Sequence, residues 1–277
     1  MRICDLYKPG KTILSLEVFP PKKDSGVSLD GALSEIARLS PAFISVTVHV
    51  GGSADRTAGI AANIQSTFGI PSIAHLTCVN ATRATIRDSL QMIRERGVEN
   101  ILALRGDPAD GGYKDYLYAS ELVRDVCGYG GFCAGAACYP EGHIDASDPV
   151  SDIEHLKIKQ DAGAAFFLSQ LCFDNGLFYR FLERARAAGI SVPVSAGVMP
   201  VLSLGQIEKM IFLCGASLPA RVVRLLHKYQ TDADGLRKAG TELAAEQVRG
   251  LTEMRVDGVH IYTMNKPEVA AWIFSQR

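Results

Sequence analysis

Glu17 stands in the stretch LSLEVFPP, residues 14 to 21, which reads as a buried strand carrying a carboxyl group near its end. Strand side chains alternate, so Leu14, Leu16 and Val18 share one face and Ser15, Glu17 and Phe19 the other. Pro20 and Pro21 then stop the strand. A carboxylate placed there is either a salt-bridged edge residue or an acid–base group, because buried unpaired carboxylates are rare. Polar residues close other apolar runs as well: Thr47 and His49, His75 and Thr77, Arg105 with Gly106 and Asp107, Tyr139 with Glu141 and His143, Gln170 and Asp174, and Tyr262 and Asn265. Such groups serve proton transfer and the holding of an anionic ligand. His49 and His75 could also seat a metal, but no remaining ligands stand at a recognisable spacing, so no metal site is expected.

These ends need elements to hold them. Strand-like runs lie at 12–19, 43–48, 72–78, 99–105, 132–139, 165–171, 192–199 and 258–263. Segments of helical spacing separate them, such as Leu29, Leu33, Ile36 and Leu39, or Ile86, Leu90 and Ile93. Gly69, Gly97, Gly163 and Gly189 sit where C-terminal helix caps belong, and Pro267 opens a last helix. Eight strands, each followed by a helix, predict an α/β fold, a (β/α)8 TIM barrel, with extra helices at 218–229 and 233–255 between the seventh and eighth strands. A doubly wound open sheet is the runner-up. No linker, repeat or low-complexity tract divides the chain, so residues 1–277 are expected to form one domain. Active sites of such barrels lie at the C-terminal strand ends. There the polar ends converge, which favours the acid–base reading of Glu17.

Composition excludes several functions. Hydrophobic residues make up 47% and charged residues 21%, and 29 basic against 30 acidic residues give a formal charge of -1. That balance speaks against nucleic-acid binding, which needs a basic surface. Seven cysteines show no CxxC spacing or disulfide framework, pointing to a reducing, cytoplasmic setting. No signal-peptide pattern opens the chain, and no run approaches the ~20 apolar residues of a membrane span.

Several stretches resemble one family: LEVFPP, ISVTVHVGGSADRT, AHLTC, LRGDP, the YAS at 118–120, AACYPEGH, the QLCFD at 170–174 and HIYTMN. In order and spacing they are similar to the motifs of the methylenetetrahydrofolate reductase family, nearly end to end. The resemblance implies a flavin-dependent barrel that passes a hydride from NAD(P)H to FAD and then reduces 5,10-methylenetetrahydrofolate to 5-methyltetrahydrofolate. It makes Glu17 the general acid that protonates N10 of the folate, a role that requires desolvation to keep the carboxyl group protonated. Asp107 is implied as a contact of both pterin and flavin, Gln170 as a pterin ligand, and Tyr262 as a neighbour of the folate. FAD contacts carry over to Thr47, His75, Leu104, Arg105, Gly106, Asp107, Tyr118, Ala119, Ala137, Tyr139, His143, Asp152, His155 and Lys159. A homo-oligomer or an electron-delivering partner subunit is compatible with the resemblance. An idle barrel subunit of a larger one-carbon complex, or a metal-dependent barrel hydrolase, are the alternatives.

Departures from the family pattern concern the electron donor and the flavin phosphates. Leu171 and Cys172 stand in a run that is aromatic in the family, and Met210 stands in place of a phenylalanine that stacks on the nicotinamide nucleotide. These changes predict less aromatic surface at the rim. Ile158 replaces a basic residue near the FAD phosphates. Other conspicuous residues have plainer readings: His260 as a core or interface histidine, GYGG at 128–131 as a helix end, Lys22 and Lys23 as a solvated turn or a contact of the folate polyglutamate tail, VGGS at 50–53 as a turn or a phosphate cradle, and Arg221, Arg224, His227 and Lys228 as the wet face of a helix.

Overall fold

Eight parallel strands pair in sequence order and close on one another: β1 (Ile13–Val18), β2 (Ile44–Val46), β3 (Ser72–Thr77), β4 (Asn100–Leu104), β5 (Cys133–Cys138), β6 (Phe166–Leu171), β7 (Val194–Val198) and β8 (Gly258–Tyr262). The computed structural model describes residues 1–21, 29–48, 53–107, 114–146 and 148–276, so His49, Lys22, Lys23 and the glycines of VGGS lie outside the described residues. The helices are α1 (Asp30–Arg38), α2 (Ala54–Phe68), α3 (Arg83–Glu95), α4 (Ala119–Tyr129), α5 (Pro149–Asp161), α6 (Asn175–Ala187), α7 (Leu204–Cys214), α8 (Ala220–Lys228), α9 (Ala233–Glu253) and α10 (Pro267–Ser275). This is the TIM barrel, not the open sheet, and α8 and α9 are the extra helices between β7 and β8. Gly69, Gly97, Gly163 and Gly189 all take positive φ just past a helix end, where a Cβ would be strained.

Alternation along the strands sorts side chains into two sets. Leu14, Leu16, Val18, Ile44, Val46, Ala74, Leu76, Val259 and Ile261 pack outward against the helices in one continuous core. The inward set is layered. Ile13, Phe43, Ile73, Leu102, Cys133 and Phe166 fill the lower barrel, joined from below by Ile3 of a short 3-10 helix (Ile3–Leu6). Gly135 makes room for this filling, since a Cβ there would lie 2.3 Å from the Phe166 ring. Above lies a polar layer of Ser15, Ser45, His75 and His260, and above that the strand ends. Among the described residues no helix is long and apolar enough to cross a membrane.

Candidate active site

A cleft of about 850 Å³ opens over the C-terminal ends of the strands, near the upper end of the ~300–1,000 Å³ usual for ligand sites. Each site residue named from the resemblance lines it, from Glu17 on β1 to Tyr262 on β8. Ser120, Asp145, Gln206, Lys209, Leu213 and Met264 line it too. Ser120 and Met264 fall inside the YAS and HIYTMN stretches, whereas the other four come from a loop and from α7, where residue type alone does not mark an approach to the cleft.

Glu17 ends β1 facing inward and is 6% exposed. Its Oε2 lies 3.4 Å from Ser45 Oγ, 3.5 Å from His75 Nε2 and 3.6 Å from His260 Nε2. Its carbonyl accepts from the Thr263 hydroxyl at 2.7 Å, which fixes the strand end on which the carboxyl group rides. Asn265 adds a second clamp, donating to the Phe19 carbonyl at 2.7 Å and accepting from the Phe19 amide at 2.8 Å. Asn265 thus holds the exit of β1 instead of lining the cleft. Two other rim residues behave in the same way. Asp174 caps α6 by accepting from the Gly176 amide at 2.8 Å, and Glu141 accepts from the Ser217 amide at 3.2 Å.

Burial holds the His75 imidazole down at about 4, against an opposing pull from Glu17, so the ring is neutral at neutral pH. Neither of its ring nitrogens makes a hydrogen bond among the described residues, and the 3.5 Å approach to Glu17 is too long for a well-formed one. An unsatisfied buried group of this kind calls for a partner in the cleft. Tyr262 donates to the Ser169 carbonyl at 2.7 Å, and burial, reinforced by Glu17, pushes its phenol up.

Basic groups mark the far half of the cleft. Arg105 pairs with Asp145 at 2.6 Å, and Arg105 holds that carboxyl group below its usual range. Lys159 donates to the Ala137 carbonyl at 2.9 Å. Burial pushes the Lys159 ammonium down and the Asp152 carboxyl group up, while each pulls the other back towards its charged form. Tyr118 stacks near His155 with centroids 6.3 Å apart, and Tyr139 meets His143 edge-on at 4.6 Å. Gly106 has φ +82°, and a Cβ there would lie 2.6 Å from Val79 Cγ1, so the backbone can turn into the cleft only as glycine. Cations beside aromatic rings, with Ala103, Ala119 and Ala137 as a low floor, fit a ligand that is flat at one end and anionic at the other. The orphaned imidazole of His75 suits a polar edge of the same ligand.

Leu171 and Cys172 correct an expectation. Neither lines the cleft, since Gln170 takes the inward position on β6 and Leu171 therefore packs outward with Phe173, Met199 and Val201. Cys172 is buried, with Sγ 3.2 Å from the Asp174 carbonyl. Met210 and Ile158, by contrast, do line the cleft. Among the described residues no group of three or more His, Cys, Asp or Glu side chains is placed to hold a metal ion.

The family model described as methylenetetrahydrofolate reductase matches residues 2–277. The chain belongs to the methylenetetrahydrofolate reductase family. It is 35% identical over 278 residues to methylenetetrahydrofolate reductase 1 of Schizosaccharomyces pombe, covering 96% of this chain but 46% of that relative. It is 33% identical over 264 residues to the 5,10-methylenetetrahydrofolate reductase of Pectobacterium carotovorum, covering 94% of this chain and 88% of the relative. The chain thus spans about half of the fungal reductase and most of the bacterial one. Among solved structures, a Clostridium thermocellum protein described as binding two copies of 5-methyl-5,6,7,8-tetrahydrofolic acid superposes with a TM-score of 0.72 at 16% identity, over 99% of this chain and 96% of that one. That likeness shows the fold alone.

Proposed function

We propose that residues 1–277 act as one catalytic unit that reduces 5,10-methylenetetrahydrofolate to 5-methyltetrahydrofolate with FAD as the hydride carrier. Membership of the reductase family supports the folate reaction. The observation that carries the assignment of residues is the placing of Glu17, buried, in one cleft with Asp107, Gln170 and the basic pair Arg105 and Lys159. Bound FAD would accept a hydride from NAD(P)H, or electrons from a partner subunit, and supply the hydride that reduces the folate.

The chain's own residues do the remainder. Arg105 and Lys159 answer the phosphate charge, and Gly106 brings backbone close to the ligand. His75, Thr47, Leu104, Asp107, Tyr118, Ala119, Ala137, Tyr139, His143, Asp152 and His155 complete the flavin wall. Gln170 and Asp107 hold the pterin, Gln170 using its amide as both donor and acceptor. Tyr262 lies beside the folate. Glu17 donates its proton to N10, so that the bond from the bridging carbon to N10 breaks and a cationic iminium at N5 is left as hydride acceptor. A carboxyl group can do this only in its protonated form.

Heating the purified chain and separating the released cofactor by chromatography tests the flavin assignment. FAD is the expected product, and finding only FMN, or no affinity for added FAD, would refute it.

A further inference from the structure

Beneath Glu17 lie three side chains that the proposed mechanism does not use. Strand register sets Glu17 beside Ser45 and Tyr262, and Ser15 beside His260. Ser15, Ser45 and His260 are all fully buried. His260 Nδ1 lies 2.8 Å from Ser15 Oγ, and His260 Nε2 lies 3.0 Å from Ser45 Oγ. The Ser45 hydroxyl reaches Glu17 Oε2 at 3.4 Å, and Ser15 donates to the Val259 carbonyl at 3.2 Å. In the arrangement where Ser15 donates to that carbonyl, its oxygen accepts from Nδ1, which then carries a proton. Nε2 then either donates to Ser45 or accepts from it.

We propose that Glu17, Ser45 and His260 share one proton, with His260 the positioning residue that stores it for Glu17. The proposal rests on the reading of Glu17 as the acid. In one arrangement Glu17 is a carboxylate and the His260 ring carries protons on both nitrogens; Nε2 donates to Ser45, and Ser45 donates to Glu17. Transfer breaks the Nε2–H bond as a new Ser45 O–H bond forms. The original Ser45 O–H bond breaks as Glu17 Oε2–H forms. Nothing is oxidised or reduced, and an ion pair becomes a neutral pair. Ser45 then donates back to Nε2, and the Ser15 bonds are unchanged, so the hydrogen bonds of His260 are satisfied in both arrangements. Separated charges are costly in a low-dielectric interior, so the two arrangements differ by the cost of burying that ion pair. The other titratable groups facing the unit are His75 of β3 and Tyr262 of β8, whose charged forms burial disfavours. Phe43 covers the His260 ring, with centroids 5.6 Å apart.

Two measurements test this. In the flavin-free chain, the ring ¹⁵N signals of His260 and the carboxyl ¹³C signal of Glu17 are followed against pH, with His260→Asn and Glu17→Gln giving the assignments. Common midpoints that separate in Ser45→Ala are expected, as for any pair that titrates as one unit; independent midpoints in the parent would overturn the proposal. In the flavin-loaded, prereduced chain mixed with methylenetetrahydrofolate, Ser45→Ala and His260→Asn should each slow the folate step about tenfold or more. Their double variant should be no slower than the slower single one, since both act through one proton. Flavin content, read alongside, reports whether each variant keeps its fold. If Glu17→Gln abolishes the step while both other variants match the parent, the shared proton is refuted and Glu17 stands as a lone acid. If Glu17→Gln itself matches the parent, the reading of Glu17 falls first and the shared proton with it.

Discussion

An imidazole held neutral inside a barrel makes stability depend on pH. His75 titrates near 6.5 when unfolded and at about 4 when folded, so between those values the unfolded chain binds the extra proton. Its contribution is fully present above pH 6.5, falls as the pH drops towards 4 and levels off below. The loss is on the order of 3 kcal/mol. Denaturation of the flavin-free chain across this range should show that slope, and His75→Gln should flatten it. Gly106 is a second sensitive residue. Gly106→Ala meets both a positive φ and the Val79 side chain, and should cost ~1–3 kcal/mol together with much of the flavin affinity, measured by denaturation and by FAD titration. Asp107→Asn should raise the flavin midpoint potential, because a negative charge near the flavin disfavours its anionic reduced form; spectroelectrochemistry reads the shift. Residue types at the strand ends were legible in the sequence. The wiring beneath them was not: His260 reads as a core histidine and is indeed buried, yet its bond to Ser15 joins residues 245 positions apart and exists only through the closure of β8 on β1.

The elements that hold these groups were largely written in short-range signals. Glycine caps and 3.6-residue spacing located the helices, and apolar runs located the strands, since both depend on local backbone preferences. The facing of particular residues depended on more than that. Leu171 and Cys172 looked like rim residues because they follow Gln170, but alternation on β6 turns Leu171 outward, and Cys172 is buried just past the strand end. Asn265, Glu141 and Asp174 looked like site residues, whereas each ties a loop or a helix end. The long connection from β7 to β8 is seated by Gly240 of α9, where a Cβ would come 1.8 Å from the Val201 carbonyl. Gly240→Ala should therefore push α9 off the exit of β7 and lower stability by about 1–3 kcal/mol. A reduced urea midpoint would show it, and an unchanged midpoint would mean that the helix shifts at little cost.

At the scale of the molecule, an apolar lower barrel, a polar middle layer and an open upper cleft divide stability from chemistry. Binding in the cleft should stabilise the whole barrel, because a ligand that binds only the folded chain adds about 2.7 kcal/mol at a hundredfold excess over its dissociation constant. Thermal unfolding with FAD should show a rise in Tm that FMN, lacking the adenylate end, matches only in part. The central claim is that this cleft delivers a proton from Glu17 to a folate while the flavin gives up its hydride. Anaerobic rapid mixing of the prereduced, flavin-loaded chain with methylenetetrahydrofolate follows that step directly as the return of flavin absorbance. The parent should recolour in a single turnover, and Glu17→Gln should retain its flavin but recolour ~10²–10⁴-fold more slowly. Recolouring of Glu17→Gln within a few-fold of the parent would contradict the account.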